Sequence, residues 1–186
     1  MFIQTQNTPN PNAIQFLPGL AVSSTPIYFQ SADEAQNTFL VRKLLNIADV
    51  EGVFLGSDFI TVSKNDNGNW DVLRSEIITL ILDHFASGLG VFDNLHMQEN
   101  NQEEALIYTD PIEQQIVEII NTRVRPSVAM DGGDIVYQGF ENGIVKLELR
   151  GACAGCPSST ITLKNGIESM LKHYVPQVIA VEAVNQ

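Results

Sequence analysis

Val145-Lys146-Leu147-Glu148-Leu149-Arg150-Gly151-Ala152-Cys153-Ala154-Gly155-Cys156-Pro157-Ser158-Ser159 passes from an alternating strand pattern, through two cysteines, into a proline-opened helix. Val145, Leu147 and Leu149 set against Lys146, Glu148 and Arg150 predict a strand with one buried and one wet face. Pro157 suits a first helical position, where its missing N–H has no partner to lose. Leu163, Ile167, Met170, Leu171 and Tyr174 mark the helix after it, Pro176 ends that helix, and Val178 to Val184 reads as a last strand. A strand–helix–strand unit of this length should close as a right-handed crossover, placing the last strand parallel to the one before the cysteines.

Upstream, Asn142-Gly143 is a hairpin signal, since a type I′ turn needs positive φ at both central residues. Asp131-Gly132-Gly133-Asp134 reads as a tight turn into a strand from Ile135 to Phe140. Asp110-Pro111-Ile112-Glu113 opens a helix with an N-cap acid and a proline, and Ile112, Ile116, Ile119, Ile120 and Val124 are its apolar face. The order helix, strand, strand, helix, strand implies a mixed three-stranded sheet over residues 110–186.

A separate unit is expected over residues 1–88. Phe2 to Gln6 and Ala13 to Leu17 are extended, joined by the turn chemistry of Thr8-Pro9-Asn10-Pro11-Asn12. Ser31-Ala32-Asp33-Glu34 resembles a capping box, with Ala35, Phe39, Leu40, Leu44 and Ile47 on one face of the helix it would start. Val50 to Ser63 reads as a hairpin broken at Gly56-Ser57-Asp58. Asn69 caps a second helix with Trp70, Leu73, Ile77, Ile81 and Phe85 inward and Gly88 as its stop. Residues 89–109 are polar and acidic and read as a linker. The fold class is therefore α+β, in two small domains.

A formal charge of −12, with ten dispersed basic residues, argues against a nucleic-acid partner. No apolar run is long enough to span a bilayer, so no membrane association is expected. Met1-Phe2-Ile3-Gln4-Thr5-Gln6 has neither a cationic region nor an apolar signal core. Two cysteines without a secretory signal suggest a reducing compartment, where such a pair is more often a metal or redox site than a structural disulfide.

Cys153 and Cys156 should lie on the turn between strand and helix. The free amides that open the helix, at Ser158, Ser159 and Thr160, should favour thiolate over thiol. Gly151 and Gly155 leave room for a bulky inorganic group. A cubane or rhombic cluster takes four protein thiolates, as does an all-cysteine zinc site, and one chain offers two. His84, His96 and His173 read as surface or helix-end residues, so the simpler completion is a second copy of the loop. Three readings stay open on the residues alone: half of a bridging iron–sulfur site, a redox dithiol, or structural zinc across a dimer. The second is weakened because only about thirty residues follow Cys156, too few for a thioredoxin-like fold. Asp131 and Asp134 read as turn and capping residues, because acids beside thiolates would disfavour an anionic cluster. Arg150 reads as a wet-face strand residue, and Arg123 and Arg125 could offset cluster charge only if they face it. Trp70 reads as packing on the first domain's core.

Met130-Asp131-Gly132-Gly133-Asp134, the cysteine block and Thr162-Leu163-Lys164-Asn165-Gly166-Ile167 together resemble the carboxy-terminal domain of NifU, the Nfu-type iron–sulfur scaffold domain. Phe2 to Gln6, Thr8-Pro9-Asn10-Pro11-Asn12 and Gly56-Ser57-Asp58-Phe59-Ile60-Thr61-Val62 resemble the amino-terminal domain joined to it in Nfu proteins. The resemblance implies an iron–sulfur carrier rather than an enzyme. It implies a [4Fe–4S] cluster, with [2Fe–2S] as the variant, bridging a homodimer through Cys153 and Cys156. Upstream cluster assembly proteins would supply it, and apo-enzymes such as lipoyl synthase, aconitase-like proteins or respiratory complex subunits would receive it. The start of Met1 directly on the first strand is expected of a bacterial cytoplasmic form, with the mitochondrial matrix as the processed organellar option.

Overall fold

A computed structural model describes residues 2–92, 110–154 and 157–184, with the backbone alone at 157–160. Most of the expected linker, from 93 to 109, and with it His96, lies outside the described residues, as do Gly155 and Cys156. The chain forms two compact units, Met1–Asn100 and Asn101–Gln186. Each mixes helices and strands.

In the first unit the strands are β1 (Gln4–Asn7), β2 (Ala13–Leu17), β3 (Ile27–Phe29), β4 (Val50–Leu55) and β5 (Ile60–Lys64), and the helices are α1 (Phe39–Leu45) and α2 (Trp70–Ala86). The strands form one antiparallel sheet in the order β1-β2-β5-β4-β3. Phe16, Leu40, Leu44, Val53, Leu55, Ile60, Val62, Ile77 and Ile81 are the sealed centre of its core. Asn69 accepts the N–H of Asp71 as the expected cap, and Gly88 ends α2 at φ +72°.

Three expectations need correction here. The capping-box residues start no helix: i to i+3 turns run from Ser31 to Thr38, and Glu34 accepts the N–H of Gln30 rather than that of Ser31. The helix opens only at Phe39, which stays on the surface. His84 sits in the last turn of α2, at the helix end as expected, and is buried there with Nε2 2.9 Å from the Gly90 carbonyl, while Phe85, expected inward, is half-buried. Three-residue β3 is too short to show a period and was not anticipated. Trp70 packs against the core from its edge and donates to the Pro11 carbonyl.

The second unit contains α3 (Pro111–Ile119), a π turn (Ile120–Val124), α4 (Arg125–Met130), β6 (Gly133–Glu141), β7 (Ile144–Gly151), α5 (Pro157–Tyr174) and β8 (Ala180–Ala183). The sheet order is β6-β7-β8, with β6 antiparallel and β8 parallel to the central β7. This is the mixed three-stranded sheet that the sequence predicts. Asp110 caps α3 through the N–H of Ile112. Asn142 and Gly143 sit at φ +52° and +81°, the pair of left-handed residues that a type I′ hairpin needs.

The single helix expected from Pro111 onward is broken by the π turn. An α-helical residue at Pro126 would owe an N–H to the Thr122 carbonyl, and proline has none. The chain widens instead, and the Arg125 N–H reaches back to Ile120. Ile116, Ile119, Ile120, Val124 and Val128 remain buried throughout. On α5, Ile167 and Leu171 are buried, but Tyr174 is 39% exposed and Val175, just past the helix, fills the last core position. The outer face of β7 is half-buried rather than wet, since it is the central strand and Glu148 is held by Gln138 and Arg150. At the sheet edge, Glu168 on α5 accepts the N–H of Val181 at 3.0 Å, and this bond and that from Lys172 hold its carboxyl below the usual range, Lys172 more strongly.

One polar contact fixes α4 to β6. Arg125 donates Nε to Asp134 Oδ1 at 2.9 Å and NH2 to Oδ2 at 2.8 Å, and Asp134 is 4% exposed. Removing one member of such a pair strands the other, which is costly in low dielectric. Arg125→Met is expected to lower the stability of this unit by about 3 kcal/mol. Urea unfolding followed on the amide signals of β6 and β7 measures it.

Candidate metal centre

The last residue of β7, Gly151, turns the chain at φ +63°, a conformation that suits glycine. Two bonds shape the loop beyond it. Ala152 donates to the Gly132 carbonyl at 3.1 Å, and Ala154 donates to the Gly151 carbonyl at 3.0 Å. The cysteine loop is thus fastened to the Asp131–Asp134 turn, where Gly132 itself stands at φ +83°.

Cys153 is 7% exposed and counts among the core residues of its unit. Burial pushes its thiol up to about 12, and the carboxylates of Asp131 and Asp134 push in the same direction. That reverses the expected preference for thiolate at this sulfur. Desolvation and two acids act on it from the side of the turn, where the sequence suggested only helix-start amides. Cys156 lies outside the described residues.

The other candidates separate from the site. Buried Asp134 is paired with the partly exposed Arg125, so Arg125 is already committed. Arg150 turns back to Glu148, with Nε 2.6 Å from Oε1. Arg123 lies over the Tyr174 ring, 4.8 Å from its centroid, and His173 is exposed beside the same ring. His84 belongs to the first unit. Among the described residues no three His, Cys, Asp or Glu side chains group to hold a metal ion. Among the described residues Cys153 supplies one soft sulfur donor on a close glycine turn, the donor type of a thiolate site. The role of Asp134 in clamping the turn was missed, and only the recurrence of Arg and Asp around the helix–turn boundary could have signalled it.

The fold and the loop define a small two-unit α+β protein with a strand–cysteine–helix site. Residues 116–182 match the family described as "NifU-like domain" and residues 3–88 the family described as "Scaffold protein Nfu/NifU N terminal". The chain belongs to this Nfu/NifU-like family. It is 45% identical over 186 residues to the protein named "NFU1 iron-sulfur cluster scaffold homolog, mitochondrial" of Drosophila sechellia, with 99% of this chain and 65% of the relative covered. The protein of that name from Drosophila virilis is 46% identical over 186 residues, with 99% of this chain and 62% of the relative covered. The chain therefore spans less than two thirds of these relatives. The solution structure of a NifU-like protein from Saccharomyces cerevisiae is similar at a TM-score of 0.46 and 29% identity, over 50% of this chain and 86% of that one.

The raised thiol carries a pH signature. Below pH 9.0, the ordinary value, both folded and unfolded chains keep the Cys153 proton. Between there and about 12 only the folded chain keeps it, so stability falls as pH rises. The expected slope is about 1.4 kcal/mol per pH unit. Denaturant titrations of the metal-free protein between pH 8 and 10.5 should show this loss in the wild type and its absence in Cys153→Ala.

Proposed function

We propose that this chain is an iron–sulfur cluster scaffold and carrier, with a [4Fe–4S] cluster, or alternatively [2Fe–2S], as cargo shared between two copies. Cys153 and Cys156 of each copy are its ligands, four sulfurs in all, and the cluster passes on to apo-proteins. The observation that carries the reading is the Cys153 site: a soft donor held against a glycine turn, without a nucleophile–base constellation around it among the described residues. The printed names of the Drosophila relatives support the same role. On this reading the protein is not an enzyme.

The chain's own part in the chemistry is mostly protective. A thiol that stays protonated is a poor nucleophile and resists oxidation, so the empty loop is kept from side reactions. Its proton must leave as iron bonds to the sulfur, which couples loading to proton release. The same property speaks against the dithiol reading, because disulfide exchange needs a thiolate near ambient pH.

Residues 1–88 are assigned as the Nfu amino-terminal domain that tunes delivery, 89–109 as the linker and 110–186 as the cluster-binding domain. Upstream assembly proteins load the chain, and apo iron–sulfur enzymes of the lipoyl synthase or aconitase-like kind receive the cluster. The strongly acidic balance supports protein rather than nucleic-acid partners. No helix among the described residues is long and apolar enough to cross a membrane. The compartment is one that keeps thiols reduced: the bacterial cytoplasm, or the mitochondrion that the relatives' names give for those proteins.

Anaerobic reconstitution with iron and sulfide tests the reading. The expected product is a dimer with one cluster containing iron and acid-labile sulfide, and Cys153→Ala or Cys156→Ala should each abolish it. Tight zinc binding without sulfide uptake would replace this reading with a structural site, and efficient disulfide reduction by the metal-free monomer would replace it with a dithiol.

A further inference from the structure

Gly132 and Gly133 are adjacent, yet different constraints act on them. Gly132 holds φ +83°, which an L side chain adopts only with strain. Gly133 has no such backbone: it is the first residue of β6, paired with Gly151 across the hairpin, and its φ is not positive. Any residue could take that conformation. What excludes a side chain is space. A β-carbon placed on Gly133 would stand 2.5 Å from Cys153 Sγ, 2.8 Å from the Arg150 carbonyl oxygen and 3.0 Å from the Cys153 nitrogen.

We propose that Gly133 is a positioning residue for Cys153, and that the volume left by its absent side chain is the seat of the ligand sulfur before metal arrives. This rests on the carrier reading, which makes Cys153 a ligand. The floor of the seat cannot easily recede. Asp134, the next residue, pairs with Arg150 in the ladder and is clamped by Arg125. The walls are tied as well, since Ala152 is bonded to the Gly132 carbonyl and Ala154 to that of Gly151. A side chain at 133 would press hardest on the sulfur, and also on the Arg150 carbonyl and the Cys153 nitrogen, so the sulfur loses its seat. Ligands held in place by a supporting shell bind metal better than ligands that must be ordered on binding.

The test uses the full-length chain. Iodoacetamide labelling, with the Cys153 peptide quantified by mass spectrometry, compares native and guanidinium-unfolded protein. Native wild type should label at least about tenfold more slowly, as a seated sulfur opens only transiently. Gly133→Ala should lose most of that protection while keeping the amide signals of β6 and β7. Its reconstituted cluster should have a lifetime shortened by about tenfold or more, the scale of supporting-shell losses at metal sites. Gly166→Ala, on α5 with nothing within 4 Å of the added carbon, should keep both properties. A Gly133→Ala cluster lifetime within about twofold of wild type would sink the proposal, because a lost supporting contact costs more than that. So would wild-type protection below about threefold, which means no seat. If Gly133→Ala does not fold, the wild-type protection decides alone. If wild type takes up no iron and sulfide, the carrier reading fails while the labelling result still judges the seat.

Discussion

Where β6 begins and β7 ends, two strands must close on each other while a sulfur-bearing loop leaves the sheet. Two glycines face each other at that point, Gly133 and Gly151, and neither could be exchanged for the other's reason. One yields volume to Cys153, and the other turns the chain through left-handed φ. A helix then has to be fixed across the opening, and the bidentate Arg125–Asp134 contact does so from the far side of the turn. The sheet, the helix before it and the sulfur thus share one short stretch of backbone.

The electrostatics stem from that crowding. The acids that anchor or cap the turn, Asp134 and Asp131, are too close to Cys153 to be neutral toward it. Placing the sulfur in the core adds a desolvation cost that exceeds their effect, and both stabilise the protonated form. A thiol that keeps its proton is a weak nucleophile.

Much of this architecture could be read without coordinates because its signals are local. The caps at Asn69 and Asp110, the Asn142-Gly143 hairpin, the alternation along β7 and the proline that opens α5 each act within a few residues. The misses share a different cause. Ser31 and Glu34 satisfy the letter of a capping box, but the surrounding turns use those groups first. The π turn depends on Pro126 widening a helix whose apolar period looked unbroken. His84 is buried because Gly90 and the rings of Phe39 and Phe85 surround it, which periodicity does not show. At the site, the cysteine spacing was plain in the sequence. The clamp on Asp134 and the two separate reasons for Gly-Gly required distances.

The carboxylate of Glu168, set against the Val181 amide, bears on where the sheet ends. β8 borders the sheet, and an unoccupied row of amides there would invite a neighbour's strand to zip on, and then another. By filling one of those amides from within, α5 interrupts the template. The sheet then stops at β8 instead of growing sideways into a ribbon.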